Sequence, residues 1–271
     1  MEKQDLTNLF YKFQRERSRV RQWQARVMAE ADSHAENCMC TLTYDEFHLP
    51  PNGSFNIRDF QLFMKSLRER LAPRRIRFFG CAEYGSKGLR PHYHLIIFGW
   101  CPRDLTHEVR TDKGSKAYRS EFLARVWKRG FISVSRGVDP REVPYFAKYC
   151  QKFQRLPKDL PRPRLLFSRR PGIGECALRS DKFIDWTNDK FYFAGRSVSI
   201  PRYYLKKGDE HITSAIKLKR QEWFKKYTSA EVEVWRENGM VMMNGGENGI
   251  VDGFIKKFEN SLKSFEKWLT R

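Results

Sequence analysis

Two apolar segments separated by a short polar connection constrain the fold of this chain more than any other feature. Residues 76–84 and 92–100 have the length and composition of strands, and the second contains the uninterrupted run Leu95-Ile96-Ile97-Phe98. The connection, residues 85–91, has the length of a hairpin loop, and strands joined by so short a loop pair antiparallel. A continuous apolar run indicates a strand that is covered on both faces. We therefore predict an antiparallel sheet with helices on its faces.

Segments on either side of this hairpin predict further elements of the same fold. Two strands are expected, over residues 38–44 and 131–135. Helices are expected where helix-forming residues combine with helical apolar spacing or a capping signal, over residues 6–36, 57–71, 115–128 and 139–153. Strands and helices therefore alternate around one antiparallel sheet, which is an α+β fold.

The chain divides into three regions by composition. Residues 1–36 form a basic helical region without Gly or Pro, residues 37–171 hold the predicted strands, and residues 172–271 form a basic C-terminal extension. We expect this extension to be largely helical, with a helix over residues 209–238 and a Gly- and Asn-rich linker at residues 244–249. We assign no chemistry to the C-terminal tail.

The charge of the chain predicts a polyanionic partner. There are 52 Lys and Arg against 32 Asp and Glu, which gives a formal net charge of +20. Nucleic acid and anionic membrane both fit such a charge, but no apolar run approaches the roughly 20 residues of a membrane-spanning helix. Aromatic residues often stand beside basic ones, a mixture that suits stacking on unpaired bases. We expect nucleic acid, no membrane and, because no secretory signal is apparent, a cytoplasmic location.

His92 and His94 alternate on the second strand of the hairpin and predict a metal site. Because strand side chains alternate between faces, both imidazoles point the same way. Glu83 lies near the end of the preceding strand, and the hairpin can place its carboxylate across from them; an ion pair with Arg77 or Arg90 is the alternative. Two imidazoles and one carboxylate would leave open positions on a divalent ion, and Mg²⁺ or Mn²⁺ suits phosphate chemistry better than a closed zinc site.

Two tyrosines share one side of the helix expected over residues 139–153. At about 100° per residue, Tyr145, Lys148, Tyr149 and Lys152 lie opposite the apolar stripe. Tyr145 and Tyr149 are four residues apart, so their hydroxyls would lie side by side with two ammonium groups. A phenol has an unperturbed pKa of about 10, so attack on a phosphate at neutral pH would need such cations nearby. The alternative is a solvated basic helix face.

These motifs together resemble the HUH endonuclease superfamily, specifically the rolling-circle replication initiators of microviruses, which are phages with small circular single-stranded DNA genomes. Three segments carry the resemblance in the order found in that family: Thr41-Leu42-Thr43-Tyr44 with Leu49-Pro50, Gly80-Cys81-Ala82-Glu83-Tyr84-Gly85 through Arg90-Pro91-His92-Tyr93-His94, and Tyr145-Phe146-Ala147-Lys148-Tyr149. Segments 168–174 and 200–206 also look like recurring parts of these phage proteins.

The resemblance implies a central antiparallel sheet of about five strands, RRM-like as in HUH endonucleases, with His92 and His94 on a central strand. It implies that Glu83 is the third metal ligand and that a tyrosine, Tyr145 or Tyr149, attacks DNA to give a 5′-phosphotyrosine. The activity expected is site-specific nicking and ligation of single-stranded origin DNA in the host cytoplasm. Because no G-x-x-x-x-G-K-[ST] loop occurs, a host helicase and DNA polymerase are expected partners.

Three alternatives stay open from the sequence. A plasmid initiator or transposase would use the same nicking chemistry. A non-catalytic protein could bind single-stranded nucleic acid through its charge and aromatics, with structural histidines. A zinc-type hydrolase could use His92, His94 and Glu83 with water, and it would form no covalent DNA adduct.

Overall fold

The structure, a computed structural model, describes residues 3–85, 88–110, 116–141, 143–144, 156–157 and 159–229. The chain divides into two compact units. The larger unit is Glu16–Tyr204, and the other combines Met1–Arg15 with Leu205–Arg271. The hairpin and the residues that carry the candidate metal site all lie in the larger unit.

A seven-stranded sheet forms the framework of the larger unit, and each pair of neighbouring strands is antiparallel. In chain order the strands are β1 Asn37–Tyr44, β2 Arg77–Tyr84, β3 Pro91–Phe98, β4 Leu105–Arg110, β5 Lys116–Ser120, β6 Gly130–Arg136 and β7 Arg164–Phe167. Their order across the sheet is β4-β5-β6-β1-β3-β2-β7. The predicted α+β class is confirmed, but the sheet has seven strands rather than about five.

Helices cover both faces of this sheet. Helix α1 is Lys3–Asp32, α2 is Ile57–Leu71 and α3 is Glu121–Trp127. Helices α2 and α3 contribute their apolar residues to one core, which also contains Tyr93 and Leu95 of β3. The part of α1 that belongs to the larger unit contributes Val27 and Ala31 to the core on the opposite face. The central strands are therefore covered on both sides, as their continuous apolar run predicted.

Helix α2 forms over the predicted range because its sequence carries both a cap and an apolar stripe. The Asn56 side chain accepts a hydrogen bond from the Arg58 N–H and caps the first turn. Residues at helical spacing are buried on the sheet side, namely Phe60, Phe63, Met64 and Leu67. Each large apolar side chain buried in this way contributes roughly 1.5–3 kcal/mol relative to an exposed one.

The helix expected over residues 115–128 is only partly correct. Its first half is strand β5, because Tyr118 pairs with Val134 of the neighbouring strand β6. Helix α3 begins after Ser120, whose hydroxyl accepts a hydrogen bond from the Leu123 N–H. Lys128 ends the helix in a left-handed conformation, with φ of 55°. Pairing with a strand distant in sequence has overridden a local helical pattern.

The residues after Gly172 form several short elements rather than a continuous helix. They comprise a 3-10 helix at Glu175–Arg179, a three-stranded sheet of β8 Ile184–Asp185, β9 Lys190–Phe193 and β10 Arg196–Val198, and the short helix α4 Arg202–Leu205. Phe191 stacks on Tyr204, with ring centroids 5.0 Å apart. This aromatic cluster, which periodicity does not detect, replaces the helical content that we expected there.

Helix α5, Glu210–Ser229, begins close to residue 209, where the sequence predicted a helix start. The predicted end of that helix and the linker at residues 244–249 lie outside the described residues. None of the helices in the described part of the chain is long and apolar enough to cross a membrane.

Candidate metal centre

Strand register brings Glu83, His92 and His94 together on one face of the sheet. His92 lies directly opposite Glu83 in the β2–β3 pair, and His94 lies opposite Cys81. Residues directly opposite each other in an antiparallel pair project from the same face. The hairpin therefore places the carboxylate beside both imidazoles, as its short connection predicted.

The potential ligand atoms of these three residues converge on one point. Nε2 of His92 and Nε2 of His94 lie 3.0 Å and 2.8 Å from Oε1 of Glu83. The two Nε2 atoms are 3.1 Å apart, and the imidazole planes are inclined at 86°. Such a cluster could hold a metal ion, and it contains the two ligand types that sequence analysis selected.

Glu83 is the buried member of this cluster. Its side chain is 1% exposed, whereas those of His92 and His94 are 14% and 19% exposed. Oε2 of Glu83 is buried and has no hydrogen-bond partner in the part of the chain that the structure describes. A buried carboxylate oxygen without a partner is costly. A divalent cation bound by the two imidazoles and the carboxylate would compensate that cost, so the donor set fits such an ion.

Hydrogen bonds behind the imidazoles orient them toward Glu83. His92 Nδ1 donates to the carbonyl oxygen of Arg90 at 3.0 Å, and His94 Nδ1 lies 3.0 Å from Oγ1 of Thr41. A neutral His92 that donates through Nδ1 has a lone pair on Nε2, which points at Glu83 Oε1. Two acceptors then face each other unless a proton or a cation lies between them. Histidines that bind metals are commonly held by outer hydrogen bonds of this kind.

The alternative ion pairs of Glu83 are not formed. Arg77 pairs with Glu30, and Arg90 pairs with Glu46 and also donates to the carbonyl oxygen of Tyr44. Both arginines that could have neutralised Glu83 therefore have other partners, which leaves the histidines as its neighbours.

Tyr93, between the two histidines, anchors the strand from the opposite face. It is fully buried, and its hydroxyl donates to the carbonyl oxygen of Asn56 at 2.6 Å. Burial raises the pKa of Tyr93 well above its usual value, so the hydroxyl stays protonated and keeps this hydrogen bond. Tyr93 thus fixes β3 against the start of α2 and leaves the two histidines on the other face.

Sequence analysis gave no role to Thr41, which orients His94. The available signal was its position on β1, because Thr41 is directly opposite His94 in the β1–β3 register. That register depends on pairing between strands more than forty residues apart in the chain. A β-strand pattern alone does not specify it.

The residues proposed to attack DNA, Tyr145, Tyr149, Lys148 and Lys152, lie outside the described residues, but the start of their segment is described. The Asp139 side chain accepts a hydrogen bond from the Arg141 N–H at 2.7 Å, in agreement with the predicted helix cap. Val143 is fully buried and belongs to the core on the sheet face that carries the histidines. Gln24 also donates to the carbonyl oxygen of Pro140 at 2.8 Å.

Comparison with known proteins places the central region of the chain among phage replication proteins. Residues 37–154 match the model of the replication-associated protein ORF2 family. This match spans the predicted metal ligands and the tyrosine segment. No solved structure matches the chain significantly.

Three curated phage proteins are similar over longer stretches. Replication-associated protein ORF4 of Chlamydia phage 1 is 32% identical over 65% of this chain and 46% of its own length. Replication-associated protein VP4 of Bdellovibrio phage phiMH2K is 30% identical over 74% of this chain and 62% of its own length. Replication-associated protein ORF2 of Spiroplasma virus 4 is 26% identical, with 91% and 82% covered.

The alignments span about half the length of the Chlamydia phage protein and less than two thirds of the Bdellovibrio phage protein. The resemblance to microvirus replication proteins that the motifs predicted is confirmed by these similarities.

Proposed function

We propose, from the similarity of this chain to phage replication-associated proteins, that it is a site-specific single-strand DNA endonuclease and ligase. It would initiate and terminate rolling-circle replication of a phage genome. The observation that carries the proposal is the convergence of His92, His94 and Glu83, with a buried carboxylate oxygen of Glu83 that has no partner in the described chain. The net charge of +20 supports a DNA substrate.

Glu83, His92 and His94 would hold one divalent ion, Mg²⁺ or Mn²⁺. Such an ion supplies charge that polarises a phosphate oxygen and favours attack at phosphorus. Because both imidazoles are partly exposed while Glu83 is buried, a phosphate would approach from the side of the histidines. The buried carboxylate would then form the floor of the site.

One tyrosine, Tyr145 or Tyr149, would act as the nucleophile. Its hydroxyl oxygen forms a bond to phosphorus, and the bond from phosphorus to the 3′-oxygen breaks. The products are a 5′-phosphotyrosine and a 3′-hydroxyl, which takes up a proton as the phenol loses one. Lys148 and Lys152 would favour the phenolate and balance charge at the phosphate.

The second tyrosine would allow the reaction to end. It would cut the regenerated origin, and the released 3′-hydroxyl would attack the first phosphotyrosine, which frees the tyrosine and closes a single-stranded circle. The host helicase and DNA polymerase would extend the first 3′-hydroxyl in the bacterial cytoplasm. Anchoring of Val143 on the histidine face supports this arrangement, because Tyr145 follows it by two residues.

Covalent capture tests the proposal. The full chain is incubated with labelled single-stranded origin DNA from the phage genome and Mn²⁺, and the products are separated on a denaturing gel. We expect a protein–DNA band that is lost with EDTA, with His92→Ala and with the double variant Tyr145→Phe, Tyr149→Phe. His211→Ala and Tyr192→Phe are matched controls, since His211 and Tyr192 are exposed and distant in sequence from the proposed site.

The same assay separates the alternatives. Cleavage without a covalent band, unaffected by the double tyrosine substitution, would indicate hydrolysis by water. DNA binding without any cleavage would indicate a non-catalytic binding protein. A plasmid initiator or transposase would cut its own origin or element end in preference to a phage origin.

A further inference from the structure

An exposed phenylalanine lies in the same row of the sheet as the candidate metal ligands. Thr43 of β1 is directly opposite His92 on one side and Phe131 of β6 on the other, and His92 is opposite Glu83. Directly opposite residues share a face. The row therefore reads Phe131, Thr43, His92 and Glu83 from the outer strand inward.

Exposure increases along this row away from the buried carboxylate. Glu83 is 1% exposed, the His92 side chain is 14% exposed and Phe131 is 68% exposed. The neighbouring position on β6 on this face is Ser133, which is also exposed. Phe131 thus presents an aromatic ring to solvent on a face whose nearest side chains are polar, and no core contact explains its choice.

Gly130 places Phe131 in this position. Its φ is +136°, and a Cβ atom there would lie 2.4 Å from both the Asp45 nitrogen and the Thr43 oxygen. Only glycine permits so close an approach of β6 to the end of β1. The following residue therefore lies tightly opposite Thr43, two strands from His92. At a strand spacing of about 4.8 Å, the two backbones are roughly 10 Å apart.

Basic side chains further along the same face favour a polyanionic occupant. Met39 and Ser135 form the opposite pair two residues along β1 from Thr41, and they line a shallow cavity of about 330 Å³. This cavity is also lined by Lys116, Arg136 and Arg141, against one carboxylate, Asp139. An aromatic ring followed by basic groups is the arrangement that binds unpaired bases together with their phosphates.

We propose that Phe131 is a base-stacking residue, which holds the base of a nucleotide flanking the phosphate at the metal centre. The occupant is single-stranded DNA, and the assignment rests on the nicking function proposed above. Stacking on one aromatic ring tolerates any base, because every base has a π face. Phe131 would therefore position the strand beside the metal centre without reading its sequence.

Binding of base-free DNA isolates this interaction. Fluorescence anisotropy with the full chain in EDTA compares a fluorescein-labelled oligothymidylate with an abasic oligonucleotide of the same length. We expect Phe131→Ala to weaken binding of the oligothymidylate roughly 5- to 150-fold and to leave binding of the abasic strand unchanged. Phe131→Trp should retain the affinity, because a larger aromatic ring also stacks.

Tyr192→Ala is the matched control, since Tyr192 is 45% exposed on a strand of the other sheet. It should change neither affinity. An equal effect of Phe131→Ala on both oligonucleotides, or on neither, would overturn the proposal. Dissociation of an oligomer by Phe131→Ala with unchanged DNA binding would also overturn it and identify a contact between copies of the chain.

The readout in EDTA does not depend on cleavage. A wild-type protein that shows the selective effect of Phe131 but forms no covalent adduct with Mn²⁺ would refute the nicking function alone. A protein that forms the adduct but binds both oligonucleotides equally would refute the stacking role alone.

Discussion

His94 and Thr41 are paired across neighbouring strands, with 3.0 Å between Nδ1 of the imidazole and Oγ1 of the hydroxyl. The pair lies behind the candidate metal centre, so Nε2 of His94 is directed toward Glu83. An orienting hydrogen bond of this kind selects the ring tautomer that a metal needs. The arrangement makes the strength of metal binding depend on a residue that does not touch the metal.

Thr41→Val should weaken Mn²⁺ binding about 10- to 100-fold, because the imidazole of His94 loses its orienting partner while the volume of the side chain is kept. Calorimetric titration with Mn²⁺ measures the effect. Thr43→Val on the same strand is the control, since the described part of the chain contains no hydrogen bond from the Thr43 side chain. An equal loss in both variants would contradict an orienting role for Thr41.

Mn²⁺ should stabilise the protein against heat, and EDTA should remove the effect. At 100 times the dissociation constant, a ligand of the folded state contributes about 2.7 kcal/mol, which corresponds to a rise in Tm of roughly 5 to 10 °C. Glu83→Gln should abolish the rise. In EDTA this variant should be at least as stable as the wild type, because a buried charge has been removed; Glu69→Gln, at an exposed position on α2, should keep the Mn²⁺ effect.

Stability should fall in acid as Glu30 becomes protonated. Although burial opposes it, hydrogen bonds from His34 and the Gly174 N–H, and the charge of Arg77, lower the pKa of Glu30 from its ordinary 4.5. A carboxyl with a lowered pKa in the folded state contributes stability that is complete above its unfolded pKa and is lost as the pH falls through its folded pKa.

Glu30→Gln should therefore cost about 3 kcal/mol at neutral pH and much less at about pH 3.5, where the wild-type carboxyl is also protonated. Urea unfolding at the two pH values measures the difference. A cost that does not change with pH would show that the charge of Glu30 contributes nothing.

Gly130→Ala should destabilise the protein by about 3 kcal/mol, because the new Cβ atom would meet the backbone of Asp45 and Thr43. Gly137→Ala is the control: its φ is +72°, but a Cβ there would meet nothing within 4 Å. Backbone strain alone should cost roughly 1 to 2 kcal/mol at Gly137. Equal costs in urea unfolding would argue against a close approach of β6 and β1.

Val143→Ala should slow adduct formation without changing Mn²⁺ affinity, because it loosens the start of the tyrosine segment. The loss of stability should be about 2 kcal/mol. Val126→Ala removes a comparable buried side chain from the core on the opposite face. Similar stabilities with slow adduct formation only in Val143→Ala would support the anchoring role, while equal rates would contradict it.

Local sequence patterns predicted the elements whose signals are strong and self-contained. The bounds of α2 agree with the prediction, and the central strands agree to within two residues. Strands β4, β5 and β7 were missed, since they are short and owe their conformation to pairing with distant segments. The small sheet over residues 184–198 was missed for the same reason.

The sequence by itself determined the hairpin, the shared face of His92 and His94 and the basic character of the chain. These features follow from the alternation of strand side chains, loop length and composition, which are local properties. Only the tertiary structure decided that Nε2 of both histidines meets one oxygen of Glu83, that Arg77 and Arg90 pair elsewhere, and that Phe131 shares the row. Those outcomes depend on strand register and on competition among distant side chains, which no local pattern specifies.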